Sequence, residues 1–202
     1  MPCVSNIFHL LFFFCKNSNI NHLYLYSFLV KIKYFWFQIS KSKMKNYSIE
    51  IKWAIRFSLL TLAWAIGEKF VGLHDERIAD YALYTNLFGL PALLFFVMAL
   101  KEKKKYFFNG TMTWTQGFVS GVILSFIIAL LTPLTQYVIY KSITPHFFET
   151  IIAYKLKSGF ITEAVAQQYF NLKTYMFQNS FSNLSLGICT GALVSLFIRT
   201  KK

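Results

Sequence analysis

The amino-acid sequence predicts an all-α integral membrane protein, a four-helix bundle with two amphipathic helices in the outer loop between spans 3 and 4. Three observations predict this class. Of the 202 residues, 55% are hydrophobic and only 14% are charged, whereas about a quarter of a soluble domain is charged. Four long apolar runs follow residue 44. The basic residues also collect on one side of a four-span arrangement.

Residues 1–43 differ in composition from the rest of the chain. They contain five Lys and no Asp or Glu. Their longer apolar run, 23–37, has Lys31 and Lys33 near its middle, where a cation costs about 2.5–3.5 kcal/mol to insert. We interpret 1–43 as a non-native or dispensable leader and 44–202 as one membrane domain. An interfacial segment and a signal peptide are the alternatives for the leader.

Four runs after the leader are apolar enough to cross a bilayer. A helix that rises about 1.5 Å per residue needs about 20 residues to cross a hydrocarbon core of about 30 Å. The first run has Arg56 near one end and Glu68 with Lys69 near the other, and the other three are uncharged. The fourth is short. The predicted spans are about 53–73, 81–100, 116–140 and 183–199.

The distribution of charge predicts how these spans are oriented. The chain has 21 Lys and Arg against 8 Asp and Glu, a formal charge of +13. The basic residues before span 1, between spans 2 and 3, and after span 4 all fall on one side: Lys41, Lys43, Lys45, Lys52, Arg56, Lys101, Lys103, Lys104, Lys105, Arg199, Lys201 and Lys202. The positive-inside rule places that side, and both termini, in the cytoplasm. Because these residues orient the spans and form no basic helix, we predict no nucleic-acid partner.

The segment 141–182, between spans 3 and 4, is predicted to form two interfacial helices. Thr144 and Pro145 resemble an N-cap followed by proline at the first helical position, and Gly159 resembles a stop signal. Thr162 opens a second helix, whose apolar residues recur every three or four positions: Val165, Tyr169, Leu172 and Met176. We expect both helices to lie across the outer mouth of the bundle.

Small residues recur at every fourth position in spans 3 and 4. They are Gly117, Gly121 and Ser125 in one span, and Gly187, Gly191 and Ser195 in the other. A stripe of this kind lets two membrane helices approach closely, so that dispersion and weak Cα–H contacts act between them. We predict that these two small-residue stripes are helix-packing surfaces, and chance occurrence is the alternative.

Glu68 is an ionisable residue inside a predicted span, where such groups are costly and usually face the interior. Measured from the centre of each span, Asn86 and Thr132 lie at a similar depth, with Gln136 somewhat farther out. We therefore consider these four residues a candidate polar cluster for binding a substrate, proton or ion. The alternative is a carboxyl group that fixes helix packing. No metal site and no cofactor are predicted, because the spacing of His and acidic residues matches no defined ligand set.

Several stretches are similar to a known family. The first span begins within IEIKW (49–53) and ends in EKFVGLHD (68–75), and the third ends in TPLTQY (132–137). Over 44–202 the chain resembles the bacterial membrane family described as domain of unknown function 4199. The resemblance implies a four-helix integral membrane protein of bacteria, and it implies no activity. Together with helical spans, it predicts a location in the inner membrane.

No motif of an enzyme is present in the sequence. It contains no glycine-rich phosphate loop, nucleophile elbow or His/Cys cluster, so we predict a non-enzymatic protein. Two functions remain open. The first is association with itself or with a membrane-protein partner in the lipid bilayer, through the small-residue stripes. The second is a small transporter or channel subunit that uses the polar cluster around Glu68.

Overall fold

A computed structural model describes residues 47–159 and 161–200, and this part of the chain is helical, with no strand. The all-α prediction is therefore confirmed for the described residues. The interpretation of 1–43 as a leader concerns residues outside the described part. The helices, in chain order, are α1 (Ser48–Phe70), α2 (Tyr81–Asn86), α3 (Gly89–Tyr106), α4 (Trp114–Val138), a π-helix (Ile139–Ile143), α5 (Phe147–Lys157), α6 (Glu163–Tyr169) and α7 (Leu172–Ile198).

Among the described residues, three helical segments are long and apolar enough to cross a membrane, judged by length and composition. They are Tyr81–Tyr106, Trp114–Ile143 and Leu172–Ile198. The helix α1, predicted to be a span, is not among them. Charged residues at its two ends leave only 57–67 uncharged, a stretch of about 16 Å. The structure therefore supports membrane character through three helices, one fewer than the sequence predicts.

Pro91 explains why the segment Tyr81–Tyr106 is broken into α2 and α3. Proline has no backbone N–H, so it cannot donate to the Leu87 carbonyl one helical turn earlier. At this point the backbone hydrogen bonds span three residues instead of four. The Leu87 N–H donates to the Tyr84 carbonyl at 3.0 Å, and the Phe88 N–H donates to the Thr85 carbonyl at 3.2 Å. The helix then continues from Gly89.

The last long helix begins earlier than the predicted fourth span. The Asn171 side chain accepts a hydrogen bond from the Thr174 N–H at 2.9 Å and caps α7, which starts at Leu172. Leu172 and Met176, which we assigned to the second interfacial helix, therefore belong to α7. The span predicted as 183–199 is only the second part of a longer helix.

The first short helix also begins later than predicted. Its cap residue is His146, so Thr144 and Pro145 precede the helix instead of opening it. Thr144 instead closes the π-helix, because its N–H donates to the Ile139 carbonyl at 2.8 Å. Gly159 follows α5 with a φ of +72°, the left-handed conformation that commonly ends a helix.

The long helices meet in two regions, which we name after one residue of each. The Lys103 end contains the beginning of α1, the end of α3, the beginning of α4 and the end of α7. The Lys103 side chain contacts Glu50 there, and Lys104 donates to the Ile198 carbonyl. The Glu68 end contains the end of α1, the beginning of α2, the π-helix, α5, α6 and the beginning of α7.

Two buried apolar clusters hold these helices together. The first joins α1, α3, α4 and α7, and its members are Trp53, Ala54, Phe57, Phe96, Ala99, Leu100, Leu124, Ile128 and Val194. The second lies at the Glu68 end around Phe147, which is 1% exposed. The second cluster forms the apolar wall of the candidate site.

Candidate functional site

The turn that ends α1 brings His74 back onto the last turn of that helix. Gly72 has a φ of +80°, a conformation that favours glycine. The Gly72 N–H donates to the Lys69 carbonyl at 2.9 Å, and the Leu73 N–H donates to the Glu68 carbonyl at 3.0 Å. This pair of bonds is the Schellman motif, which reverses the chain at a helix C-terminus. As a result, His74 lies beside Glu68.

Three side chains bind the buried Glu68 carboxylate. The Trp64 indole N–H donates to Oε1 at 2.8 Å, and the Thr85 hydroxyl donates to the same oxygen. The His74 Nε2 lies 3.2 Å from Oε2. Trp64 is one helical turn before Glu68 on the same face of α1, while Thr85 comes from α2. The carboxylate therefore joins α1, the turn after it and α2.

His74 is only 2% exposed, and within the described residues its second ring nitrogen, Nδ1, is buried and has no hydrogen-bond partner. The imidazole ring centre lies 5.4 Å from that of Tyr81 and 5.3 Å from that of Phe147. A buried polar atom without a partner costs about 1–3 kcal/mol, and natural structures keep few of them. This orphaned nitrogen singles out the Glu68–His74 pair as a candidate site.

Two tyrosine side chains lie beside this pair. The Tyr81 ring centre lies 5.0 Å from that of Phe147. The Tyr140 ring centre lies 5.1 Å from that of Phe147 and 5.7 Å from that of Tyr175 on α7. Aromatic rings from α2, the π-helix, α5 and α7 therefore border the Glu68–His74 pair.

The other members of the predicted polar cluster have no hydrogen bond to Glu68 among the described residues. Asn86 is exposed and donates to the Ala82 carbonyl at 2.7 Å. Thr132 donates to its own helix and accepts from the Asn183 amide of α7 at 2.9 Å. Gln136 is buried, and its Oε1 has no partner within the described residues. The described hydrogen bonds of Glu68 involve none of these three residues.

The residues that do bind Glu68 had signals in the sequence. Thr85 precedes Asn86, and successive helical residues point about 100° apart, so equal depth does not give an equal face. Trp64 lies four residues before Glu68, the spacing that brings two helical side chains together. Gly72 directly after an apolar helix is a stop signal, and this signal predicts a chain reversal that returns His74 to the helix.

The two small-residue stripes pack against each other within the chain. A Cβ atom added to Gly121 would lie 2.8 Å from the Gly191 Cα, and one added to Gly191 would lie 3.0 Å from the Gly121 Cα. The flanking positions continue this antiparallel register, because a Cβ on Gly117 would lie 2.8 Å from the Ser195 Oγ. A Cβ on Gly187 would lie 2.5 Å from the Ser125 Oγ. The helices α4 and α7 therefore touch at backbone distance.

The two serines of the stripes satisfy their hydroxyl groups locally. Ser125 donates to the Gly121 carbonyl at 2.7 Å, and Ser195 donates to the Gly191 carbonyl at 2.6 Å. Both residues are fully buried. The contact is therefore held by close packing without hydrogen bonds from these hydroxyls to the facing helix. Each stripe is therefore covered by the other stripe of the same chain.

The described residues contain no group of three or more His, Cys, Asp or Glu side chains that could hold a metal ion. The two His–carboxylate pairs that they do contain differ in environment. His146 and Glu149 are 3.1 Å apart and exposed, whereas His74 and Glu68 are buried. Only the second pair is shielded from solvent.

The fold and the site define a helical protein of membrane character with a buried carboxylate–imidazole pair at one end of its helices. A family model described as "Protein of unknown function (DUF4199)" matches residues 52–200, and the chain belongs to this family. The resemblance noted from the sequence is therefore confirmed. No curated protein and no solved structure gives a match.

Proposed function

We propose that the chain is a non-enzymatic, multi-pass protein of the bacterial inner membrane, a four-helix bundle with both termini in the cytoplasm. The partnered charges of α1 support its role as a membrane span in addition to the three apolar segments. Glu50 pairs with Lys103 at one end, and Glu68 pairs with His74 at the other. The helix has 23 residues, enough for about 35 Å. In this arrangement α5 and α6 are interfacial helices at the outer surface.

We infer further that the Glu68–His74 pair is a proton-binding site, as in a small transporter or channel subunit. The observation that carries this inference is the buried imidazole, which contacts the carboxylate through Nε2 and whose Nδ1 has no partner among the described residues. Ionisable groups inside a membrane protein commonly mark ion pathways and proton relays. Histidine also changes charge in the physiological pH range.

The geometry of the pair allows two successive protonation steps. A neutral imidazole can donate its Nε2–H to the carboxylate, and a proton taken up at Nδ1 converts the pair into an ion pair. A second proton on Glu68 would turn an acceptor into a donor. The hydrogen bonds from Trp64 and Thr85 must then weaken or rearrange, because both residues donate to that carboxylate. Protonation therefore affects the contact between α1 and α2.

Association through the small-residue stripes is not part of this proposal. The sequence-based argument for a partner rested on those stripes, and in the structure Gly121 faces Gly191 within one chain. A second copy or a partner protein would have to bind another face. Packing within the chain accounts for the stripes.

The indole N–H resonance of Trp64 is expected to move with pH. Because this group donates to Glu68 at 2.8 Å, protonation of the carboxylate must change its chemical shift. The measurement is a pH titration of ¹⁵N-labelled protein in detergent micelles, with the resonance assigned by a Trp64→Phe variant. In a Glu68→Gln variant the resonance should stay constant with pH.

The chain contains its own control for this titration. The Trp114 indole donates to the Ala192 backbone carbonyl at 3.2 Å, an acceptor that does not titrate. Its resonance should not move. A Trp64 resonance that follows Trp114, or that still moves in Glu68→Gln, would contradict a proton-binding site at Glu68. Proton flux into liposomes tests transport itself: equal flux for the wild type, Glu68→Gln and empty liposomes would contradict it.

The proposed orientation predicts opposite labelling of two exposed lysine positions. Lys101 lies near the end of α3, and Lys157 lies at the end of α5. In a chain whose native cysteines are replaced by serine, a membrane-impermeant maleimide should label Lys157→Cys in intact spheroplasts. Lys101→Cys should react only after permeabilisation. Lys101 serves better than Lys103 because Lys103 is buried. Labelling of Lys101→Cys from outside would refute the orientation.

A further inference from the structure

A cleft of about 500 Å³ lies between α5, α6 and α7 at the Glu68 end. Its walls are mainly apolar and aromatic and include Val165, Tyr169 and Tyr175, while Lys155 and Gln178 supply its polar groups. Ligand pockets in proteins have volumes of about 300–1,000 Å³ and combine apolar walls with a few polar groups. The cleft has the size and lining of a site for an amphiphilic molecule.

Exposed apolar side chains lie in and near the cleft on α6 and α7. Val165 and Tyr169, which line it, are exposed, and Phe177 and Phe181 of α7 are 77% and 66% exposed. In a membrane the exposed apolar side chains of α7 contact lipid, because α7 is one of the three apolar helices. Acyl chains of the bilayer therefore lie beside the helix that forms one wall of the cleft.

Lys155 provides the positive charge of the cleft. It is half-buried, its ammonium lies 5.6 Å from the Tyr154 ring centre, and it belongs to none of the ion pairs found among the described residues. The acidic residues of the adjoining helices have other partners. Glu149 contacts His146 at 3.1 Å, and Glu163 accepts from the Gln167 amide at 3.1 Å. A half-buried ammonium group at the mouth of an apolar cleft is complementary to an anionic headgroup.

We propose that this cleft binds an anionic phospholipid of the surrounding bilayer, with its phosphate at Lys155 and an acyl chain along the wall formed by Val165 and Tyr169. The site goes beyond the proposed function. It depends neither on the Glu68–His74 pair nor on the orientation of the protein in the membrane.

The test uses the full chain in a neutral detergent, titrated with phosphatidylglycerol or with phosphatidylcholine of the same acyl chains and followed by native mass spectrometry. Phosphatidylglycerol should bind about five- to tenfold more tightly, since one lysine contributes about 1 kcal/mol to the binding of an anionic lipid. Lys155→Gln and Lys155→Met should remove this preference. Lys157→Gln should retain it, because Lys157 lies on the same helix but is exposed and outside the cleft.

Three results would overturn the proposal. The first is equal affinity of the wild type for the two lipids. The second is equal loss of preference in Lys155→Gln and Lys157→Gln. The third is competition by millimolar inorganic phosphate as strong as that by lipid, which would indicate a site for a soluble anion. Lys155→Met keeps most of the aliphatic stem of this half-buried side chain, so unchanged thermal unfolding of this variant separates lost binding from lost folding.

Discussion

Replacing Gly121 with alanine is expected to lower the free energy of unfolding by about 1–3 kcal/mol, the usual cost of overpacking. The added Cβ would lie 2.8 Å from the Gly191 Cα, a separation that real Cβ contacts essentially never show. The neighbour is backbone, so no side chain can rotate away. The helices α4 and α7 must therefore move apart along their whole contact, and the neighbouring pair of Gly117 and Ser195 loses its packing as well.

Gly67 provides the matched control for this substitution. It also lies inside a helix, but a Cβ added there meets no atom within 4 Å. Gly67→Ala should therefore raise stability by up to about 1 kcal/mol, because alanine favours the helix more than glycine does. Thermal unfolding of both variants in detergent measures the difference. If the two alanine variants shift in the same direction by the same amount, the contact between Gly121 and Gly191 is not as close as the structure shows.

The small-residue stripes could be recognised from the sequence because one geometric rule governs them. Side chains four residues apart lie on one face of a helix, so the spacing of Gly117, Gly121 and Ser125 defines a surface without any knowledge of the fold. The rule does not say which helix packs against this surface. From the sequence we considered a second protein as the partner of the stripes, whereas in the structure the stripe of α4 packs against the stripe of α7. Pairing between helices is a tertiary property that spacing within one helix does not contain.

For the polar site around Glu68, the sequence predicts depth along the helices but not the direction in which each side chain points. Depth along a helix follows from residue counting, and this counting placed Glu68 and Asn86 at similar levels. Direction around the helix depends on where the helix begins and ends, and α2 ends at Asn86 near the break caused by Pro91. The neighbouring Thr85 contacts Glu68 instead. His74 comes from a turn, and its position depends on the reversal at Gly72, which helical periodicity does not describe.

The number of membrane spans also differs between the sequence-based prediction and the structure. A span can have charges at its ends, and α1 has five charged residues, so the composition of this helix alone does not decide whether it crosses the membrane. What favours crossing is that Glu50 and Glu68 have partners from other parts of the chain. Lys103 lies 53 residues from Glu50 in the sequence, and His74 reaches Glu68 only through the chain reversal at Gly72, so both partners become visible only in the fold.

Removal of the Lys103 charge is expected to have the largest effect of any single substitution discussed for this protein. The Lys103 ammonium lies 2.9 Å from a Glu50 oxygen, and the side chains of the two residues are 5% and 4% exposed. The same ammonium lies 4.1 Å from the Phe107 ring centre. Lys103→Met would leave the Glu50 carboxylate buried without its cation. A change of this kind typically costs about 3–5 kcal/mol.

The double replacement Glu50→Leu with Lys103→Met separates the charge from the packing. A buried ion pair is often replaced by apolar residues at no cost, so the double variant should recover most of the stability that Lys103→Met loses. Lys52 pairs with Glu102 at the same end, but its side chain is 41% exposed. Lys52→Met should therefore cost at most about 1 kcal/mol. Thermal unfolding of the wild type, Lys103→Met, Lys52→Met and the double variant measures these differences in stability. If Lys103→Met were no more harmful than Lys52→Met, the contact with Glu50 would be a solvated surface pair, and the partnered-charge argument for α1 as a membrane span would lose its support at that end.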